Sequence, residues 1–295
     1  MTMKAIKILS VLFIGLTITS CTDIIQLDLE DPQPVLVVDG YISDMDTTQW
    51  VRLSNLENYF ADGAPDFTVY KTATVKLLED SIEIATYTFV DSTFRFEIQY
   101  KGITGRSYQV DISLPDGKHY VSLSEEMYSV PQIDSLYYVI SANHTGPGEL
   151  TEEFVFSIDT KEPIGLGDSY QWKTYINNNY QFEAQDLNFS NDQFVDGMPI
   201  FDFEIYAMDF EQFDDYQSEA KDGRVFLKIE QSKITSRYYD FLFLVFQQTL
   251  QVGGPFAAPP AEIKGNIPLQ GDDNQYALGY FYTASIHTKE IEVIK

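Results

Sequence analysis

Apolar and polar residues alternate along short runs in the first half of the chain. From residue 108 to 114 the order is Tyr-Gln-Val-Asp-Ile-Ser-Leu, which places every apolar side chain on one face of an extended strand. Pro115, Asp116 and Gly117 follow with turn chemistry, and another run begins at Tyr120, so the pattern predicts a β-hairpin. Runs of strand character cover residues 35–42, 50–53, 73–78, 82–89, 94–98, 108–114 and 120–123.

Seven short strands within about ninety residues, separated by Gly, Asp and Ser, favour an antiparallel β-sandwich of immunoglobulin-like type over residues 35–130. A polar, glycine-bearing segment at residues 141–148 is interpreted as a loop between two regions. Residues 131–295 then form a second β-rich domain with strands near 154–159, 170–176, 201–206 and 225–230, and with closing strands near 276–286 and 290–294. The predicted fold class is therefore mainly β.

One α-helix is predicted between about residues 233 and 250. Its apolar residues recur at intervals of three and four, Ser232 precedes it as a candidate cap, and a Gly-Gly-Pro sequence at 253–255 ends it. An aromatic stripe at this spacing is typical of a helix that packs on a core. We expect the helix to pack against the second β-rich region.

The N-terminus has the features of a cleavable signal peptide. Lys4 and Lys7 precede an apolar run at residues 8–18, which is shorter than the roughly 20 residues that a membrane-spanning helix needs. The sequence Ile-Thr-Ser-Cys that ends at Cys21 resembles the bacterial lipobox, whose cysteine carries lipid after cleavage. Residues 1–20 are thus predicted to be removed, with lipid on Cys21 and a tether over residues 21–34. Cys21 is the only cysteine, so the mature chain has no disulfide.

The charge balance excludes one class of partner. The chain has 19 Lys and Arg residues against 45 Asp and Glu, a net charge of −26, and removal of residues 1–20 takes away two of the lysines. A chain of this charge repels nucleic acid, which is not expected as a partner. The 15% aromatic content is that of a protein with a packed core.

The sequence contains none of the motifs that identify common catalytic sites. The only thiol is predicted to be lipidated, the three histidines lie in no nucleophile motif, and metal-protease, P-loop and dinucleotide fingerprints are absent. No catalytic residue is therefore assigned, and the chain is predicted to be non-enzymatic.

Two acidic loops could hold Ca²⁺, which binds six to eight oxygen ligands. The first contains Asp44 and Asp46, and the second contains Asp272 and Asp273, although neither fits the twelve-residue calcium loop. A solvated acidic surface is the alternative interpretation, and no other cofactor is predicted.

An acidic, aromatic stretch at residues 201–216 is a candidate ligand-binding segment. Its aromatic side chains could stack on sugar rings or peptide side chains, or could simply pack in a core. The candidate residues are Tyr206, Phe210, Phe213 and Tyr216.

Several short segments together resemble one protein family. They are residues 37–42 (Val-Val-Asp-Gly-Tyr-Ile), 105–108 (Gly-Arg-Ser-Tyr), 238–241 (Tyr-Tyr-Asp-Phe), 265–267 (Gly-Asn-Ile) and 278–281 (Leu-Gly-Tyr-Phe), together with the lipobox. The resemblance is to a domain-of-unknown-function family of outer-membrane lipoproteins of Bacteroidetes, commonly encoded beside TonB-dependent receptors. It implies an outer-membrane location, with lipid on Cys21 as the anchor. The acidic Asp23 close behind this cysteine favours export to the cell surface, and a periplasm-facing placement is the alternative that stays open. The resemblance carries no catalytic residues.

We therefore expect a lipid-anchored accessory protein that binds a TonB-dependent receptor or a ligand of that receptor. Two alternatives stay open at this point. A carboxylate-dependent glycan or peptide hydrolase requires a cleft in which two acids converge, one of them buried. A structural or adhesive module requires a large, flat apolar surface patch without a pocket.

Overall fold

The computed structural model describes residues 35–55, 70–146, 149–183, 186–250 and 263–295. The predicted signal peptide at residues 1–20, Cys21 and the tether at 21–34 lie outside the described residues.

The last strand, β18 (Asp272–Val293), connects the whole fold because three successive parts of it pair with three different strands. Its first part is antiparallel to β17 (Ile267–Leu269), and its middle part is parallel to β1 (Leu36–Ser43). Its last part is antiparallel to β16 (Val225–Ile234). One strand therefore contributes to both halves of the molecule.

The N-terminal half consists of two β-layers around a first core. The first layer contains β1, β2 (Thr47–Asn55), β6 (Arg95–Tyr100) and β5 (Thr88–Val90). The second contains β3 (Thr74–Glu79), β4 (Ile82–Thr86), β7 (Ser107–Ser113), β8 (His119–Val121), β9 (Glu125–Glu126) and β17. Alternate residues of each strand point inward, so Val38, Val51, Val75, Val110 and Phe281 are completely buried together.

The C-terminal half repeats this arrangement around a second core. One layer is an antiparallel sheet of β10 (Ile133–Gly146), β11 (Glu149–Lys161) and β15 (Pro199–Asp209). The other contains β12 (Ser169–Ile176), β13 (Asn179–Tyr180), β14 (Asn188–Asn191), β16 and the end of β18. Phe154, Phe156, Trp172 and Leu227 pack between the two layers.

Two helices lie among the described residues. Helix α1 (Phe210–Glu219) begins with a capping box, in which Asp209 accepts a hydrogen bond from the backbone of Gln212 and the side chain of Gln212 reaches back. Helix α2 (Ser236–Leu250) packs Tyr238 and Leu242 against Tyr280 and Tyr282.

The prediction of a mainly β fold with a packed helix is confirmed. The predicted helix at 233–250 begins three residues later, at Ser236, because Lys233 still pairs with β18, Ile234 still pairs with β12, and Ser232 is a buried strand residue. Helix α1 was not predicted, since its acidic residues weaken the apolar repeat.

Three further details differ from the sequence prediction. The segment at 141–148, interpreted as a loop, belongs largely to the ends of β10 and β11, which form a long hairpin. The two closing strands are one continuous strand, and the pairing of β1 with β18 is parallel. The domain division near residue 130 stays a prediction, and the structure adds that β18 serves both cores.

Within the described part of the chain, neither helix combines the length and the apolar character needed to cross a lipid bilayer.

Candidate functional site

The strands β6, β2, β1, β18, β16 and β12 form a continuous surface that we call the front face. On β1, Val38 points into the core, so the neighbours Asp39 and Tyr41 point to the opposite side. Residues that are paired with one another in neighbouring strands point to the same side of the sheet. The front face is lined by Asp39, Tyr41, Trp50, Arg52, Arg95, Lys173, Tyr175, Lys228, Glu230 and Tyr282.

Aromatic rings form the centre of the front face. Tyr41 lies between Trp50 and Tyr282 in the strand register. Its ring contacts Trp50 edge to face at 5.7 Å between centroids and stacks on Tyr282 at 5.3 Å. Tyr282 in turn stacks on Tyr238 of α2 at 4.0 Å, so the helix holds this row of rings in place.

Basic side chains lie directly over these rings. The guanidinium carbon of Arg95 is 4.0 Å from the centroid of Trp50. The Nζ atom of Lys173 is 4.8 Å from the centroid of Tyr41 and donates a hydrogen bond of 2.8 Å to the hydroxyl of Tyr282. Lys228 lies 4.1 Å from the centroid of Tyr175. These cation–π contacts fix charged groups in a chain whose net charge is strongly negative.

Asp39 lies at an exposed position of the front face, near three basic side chains. The side chain of Asp39 is open to solvent, yet burial by the surrounding protein raises its pKa against the lowering effects of Arg52, Lys173 and Arg95. Burial likewise raises the pKa of Tyr180, which keeps 38% of its surface exposed.

A second group of polar residues lies at one end of the C-terminal half, where three carboxylates converge. Glu162 follows β11, Asp168 precedes β12 and Asp192 follows β14, and they contribute oxygen atoms that all lie within 4.8 Å of one another. This is the only group of three or more potential metal ligands found among the described residues. We call it the acidic trio.

Each carboxylate of the acidic trio already has protein partners. Tyr170 donates to Oε1 of Glu162 at 2.8 Å, and the backbone N–H of Gly167 donates to both oxygens of Asp192 at 3.1 and 2.9 Å. Lys233 donates to Asp168 at 2.5 Å, forming an ion pair. These contacts explain the position of the trio without requiring a metal ion.

Glu162 is the carboxylate with the most perturbed acidity. It is 3% exposed, and desolvation raises its pKa to about 7, with Asp168 and Asp192 adding to the rise and Tyr170 and Lys233 opposing it. Near neutral pH the carboxyl therefore exchanges between its charged and neutral forms.

The titration of Glu162 predicts a pH dependence of stability. In the unfolded chain this carboxyl loses its proton near pH 4.5, whereas in the folded protein it keeps the proton up to about pH 7. Between these values the folded state binds more protons, so the free energy of unfolding falls as pH rises, by on the order of 2 kcal/mol. Urea denaturation at a series of pH values between 4 and 8 measures this slope.

Glu162→Gln is the matched variant for this pH series. Glutamine keeps an acceptor for Tyr170 and cannot ionise, so the variant should lose that part of the slope and be more stable than the natural protein at pH 8. An unchanged slope in the variant would assign the pH dependence to other groups.

The structure separates the residues predicted to hold Ca²⁺. Asp44 accepts hydrogen bonds from Ser285 Oγ and from the backbone N–H of Ile286, on β18. Asp46 is exposed, and Asp272 holds the backbone N–H of Asn274 in the turn that begins β18. The side chain of Asp273 is outside the described part. The two loops lie at different points of β18, and Ca²⁺ binding there stays a prediction.

The four predicted ligand-binding aromatics belong to the second core. Phe210 and Phe213 approach Phe154 with centroid distances of 4.9 and 5.1 Å, and Phe213 is 1% exposed. Tyr206 lies 6.4 Å from Phe156, and the hydroxyl of Tyr216 donates to Gln181. Their ligand role stays a prediction, and the contacts observed here are packing contacts.

Sequence reasoning did not find the front face or the acidic trio. Both are assembled from residues that are distant along the chain, and the individual strands carry no motif. The one available signal was β12, whose residues are apolar or aromatic on one side while Lys173 and Tyr175 stand on the other. A strand with one face in the core and the other face on a proposed binding surface shows only this weak alternation in its sequence.

The comparisons with known proteins give one family. Residues 22–290 match the family model described as Domain of unknown function (DUF4249). No curated protein matches the chain. No solved structure matches it either.

Proposed function

Because the chain belongs to the DUF4249 family of domains of unknown function, its function must be inferred from its own geometry, and we propose a non-enzymatic, ligand-capturing lipoprotein. The protein would be held on the outer membrane, on the cell surface, by lipid on Cys21. It would bind an acidic, ring-containing ligand on the front face and pass it to a TonB-dependent receptor. The lipid would confine both proteins to the same membrane and raise their effective concentration.

The proposed anchor is supported by the sequence alone. A short apolar run ends at the lipobox-like sequence before Cys21, and the family match begins at residue 22, directly after this cysteine. Two or more acyl chains give a stable membrane attachment, whereas a single chain gives a marginal one.

The observation that carries the proposed ligand class is the group of cations over aromatic rings on the front face. Arg95 and Lys173 lie over Trp50 and Tyr41 on the front face. Aromatic faces bind the apolar faces of rings, and guanidinium and ammonium groups bind carboxylates or sulfates. A chain of net charge −26 repels anions in general, so a local group of cations selects where an anion binds.

A hydrolase is the second candidate function, and the acidic trio is the observation that favours it. Glu162 is buried and has a pKa of about 7, as a general acid requires. The trio oxygens, however, lie within 4.8 Å of one another, closer than the roughly 5 Å or more that separates the two carboxyl groups of glycosidases. The existing partners of Asp168 and Asp192 also favour binding over catalysis.

If the front face binds the ligand, the fluorescence of Trp50 should change on binding. The chain has two tryptophans, Trp50 and Trp172, so Trp172→Phe leaves Trp50 as the reporter. We expect a saturable change on titration with a uronic-acid oligosaccharide, and none with a neutral oligosaccharide of the same length. The affinity should fall as salt rises, because the interaction is between charges.

Lys173→Ala in the same background should weaken this binding about tenfold, since a charge-assisted bond and a cation–π contact are lost. Lys118→Ala, at the exposed turn before β8, removes the same charge elsewhere and should leave the affinity unchanged. Equal weakening by both variants would show a general charge effect and contradict the site. Release of shorter products by the natural protein, lost in Glu162→Gln, would support the hydrolase.

The receptor partnership predicts co-purification. In mild detergent, the lipidated protein from its native membrane should retain a TonB-dependent receptor in stoichiometric amount, identified by mass spectrometry. Cys21→Ala should be released into the soluble fraction without it. Recovery of the lipidated protein alone would overturn the partnership, and recovery of the receptor without any ligand binding would favour a structural module.

A further inference from the structure

A cavity of ≈160 Å³ lies at the end of the second core, on the side opposite the front face. Strands β12 and β16 supply one wall, and β15 with the segment after β14 supplies the other. Its lining is mostly apolar and aromatic, and includes Tyr170, Trp172, Phe194, Phe203, Glu162 and Gln231. This cavity is separate from the face to which the proposed function assigns the ligand.

The aromatic walls of the cavity are held rigidly. Trp172 donates its indole N–H to Gln231 at 2.9 Å, and Gln231 donates to the backbone carbonyl of Pro131 at 2.9 Å. The ring of Trp172 lies 5.0 Å from Phe203 and 6.0 Å from Tyr170. The polar atoms of Trp172 and Tyr170 are thus occupied, and their ring faces remain for a ligand.

Phe194 differs from the other wall residues because 85% of its surface is exposed. It lines the cavity and is open to solvent at the same time, so a ligand that enters the cavity meets this ring.

Glu162 supplies the one carboxylate of the lining. Its Oε1 atom accepts from Tyr170, and its Oε2 atom receives no hydrogen bond from the part of the chain that the structure describes. Behind it lie Asp168 and Asp192, and Lys233 neutralises only one of these two charges. The aromatic cavity therefore has an excess of negative charge beside Glu162.

From this geometry we infer that the cavity binds an alkylammonium group, with Trp172, Phe203 and Phe194 around the cation and Glu162 as its counter-ion. Aromatic ring faces and a carboxylate are the two groups that recognise such cations, through cation–π and ion-pair contacts. The same features disfavour an anion, and the volume is too small for an oligosaccharide. A bound metal ion would be coordinated by carboxylates, and the aromatic walls would then have no role in binding it.

Two ligands carry this chemistry, a free quaternary amine and the side chain of a lysine in a peptide. Both ligands present an ammonium group that is attached to apolar carbon atoms. The probes below distinguish the two ligands.

The test uses Trp172 as its own reporter. Trp50→Phe leaves Trp172 as the one tryptophan, and the full mature chain is titrated with tetramethylammonium, choline and a short peptide carrying one internal lysine. We expect saturable changes with at least one cation, and none with 3,3-dimethyl-1-butanol, the neutral isostere of choline. Saturation by the methylammonium ions alone identifies a free amine, and saturation by the peptide identifies a lysine side chain.

Glu162→Gln should weaken cation binding at least tenfold, because the counter-ion is lost while the bond from Tyr170 is kept. Glu292→Gln, an equal charge change at an exposed position of β18, should leave it unchanged. Phe194→Ala is the second variant, since an exposed ring contributes little to stability, and it should weaken binding several-fold.

A pH series gives a readout that a merely structural role of Glu162 would not change. Binding should strengthen between pH 6 and 8 as Glu162 loses its proton, with Asp168, Asp192 and Lys233 as the charged groups that face it. Equal response to the neutral isostere, saturation by Ca²⁺ that excludes every ammonium probe, or no response to any cation would each overturn the proposal.

Discussion

Gly279→Ala is expected to lower the free energy of unfolding by about 4 kcal/mol or more, enough to remove the folded state of many domains. Gly279 has a φ of +81°, and a Cβ atom there would lie 2.0 Å from the backbone carbonyl oxygen of Val38. That oxygen belongs to β1 and cannot move without breaking the parallel pairing with β18. The cost combines the strain of positive φ with a clash against backbone.

The position of Gly279 explains why the chain needs glycine there. Ala277 still pairs with β17 in one layer, whereas Leu278 and Gly279 pair with β1 in the other. The strand therefore passes from one layer of the first core to the other at this point, and such bends in a strand commonly require glycine.

Gly271→Ala is the matched control for this measurement. Gly271 has a φ of +92° in the turn before β18, and nothing lies within 4 Å of its added Cβ. The substitution should therefore cost only about 1 kcal/mol of conformational strain. Urea denaturation followed by tryptophan fluorescence compares the two variants, and equal losses would mean that the close contact with Val38 contributes nothing.

Glu125→Ala is expected to cost about 3–5 kcal/mol, the range for removal of one partner from a buried charged network. Glu125 is completely buried in β9. Its carboxylate accepts hydrogen bonds from Tyr280 at 2.9 Å, from Asn266 at 3.3 Å and from the hydroxyl of Thr235. Arg237 of α2 lies 3.8 Å away. The alanine variant leaves the buried hydroxyls of Tyr280 and Thr235 without this acceptor.

Glu126→Ala tests whether the loss of stability expected for Glu125→Ala is due to the burial of Glu125. Glu126 is the neighbouring residue in β9 and is exposed, so its truncation should change the free energy of unfolding by less than about 0.5 kcal/mol. Guanidinium denaturation of both variants at pH 7 gives the comparison. Because Glu125 joins β9, α2 and β18, near-equal effects would show that this network does not hold the helix on the sheet.

These two sites also explain the segments that carry the family resemblance. Gly265 has room only for hydrogen, since an added Cβ would lie 2.1 Å from the carbonyl oxygen of Gly279. Asn266 donates to the carbonyl of Phe281 at 2.7 Å and accepts from its N–H at 3.1 Å, as a neighbouring strand would. In these motifs Gly265, Asn266 and Gly279 are therefore packing requirements of β18.

The residues of the binding surfaces, in contrast, do not form short motifs in the sequence. Tyr41, Trp50, Lys173 and Tyr282 meet on the front face although each stands alone in its own strand. The predicted aromatic segment at 201–216 instead contributes to the second core, because β15 and α1 turn its rings toward Phe154 and Phe156. Strand pairing over long sequence separation decides both outcomes.

The sequence by itself determined the mainly β fold, the packed helix and the absence of catalytic motifs. These features depend on local alternation and helical spacing, which the order of residues records directly. Only the tertiary structure decided that β18 connects both cores, and that Glu162, Asp168 and Asp192 converge beside an aromatic cavity. Residues separated by tens of positions meet through strand register and sheet packing, and no local pattern encodes that meeting.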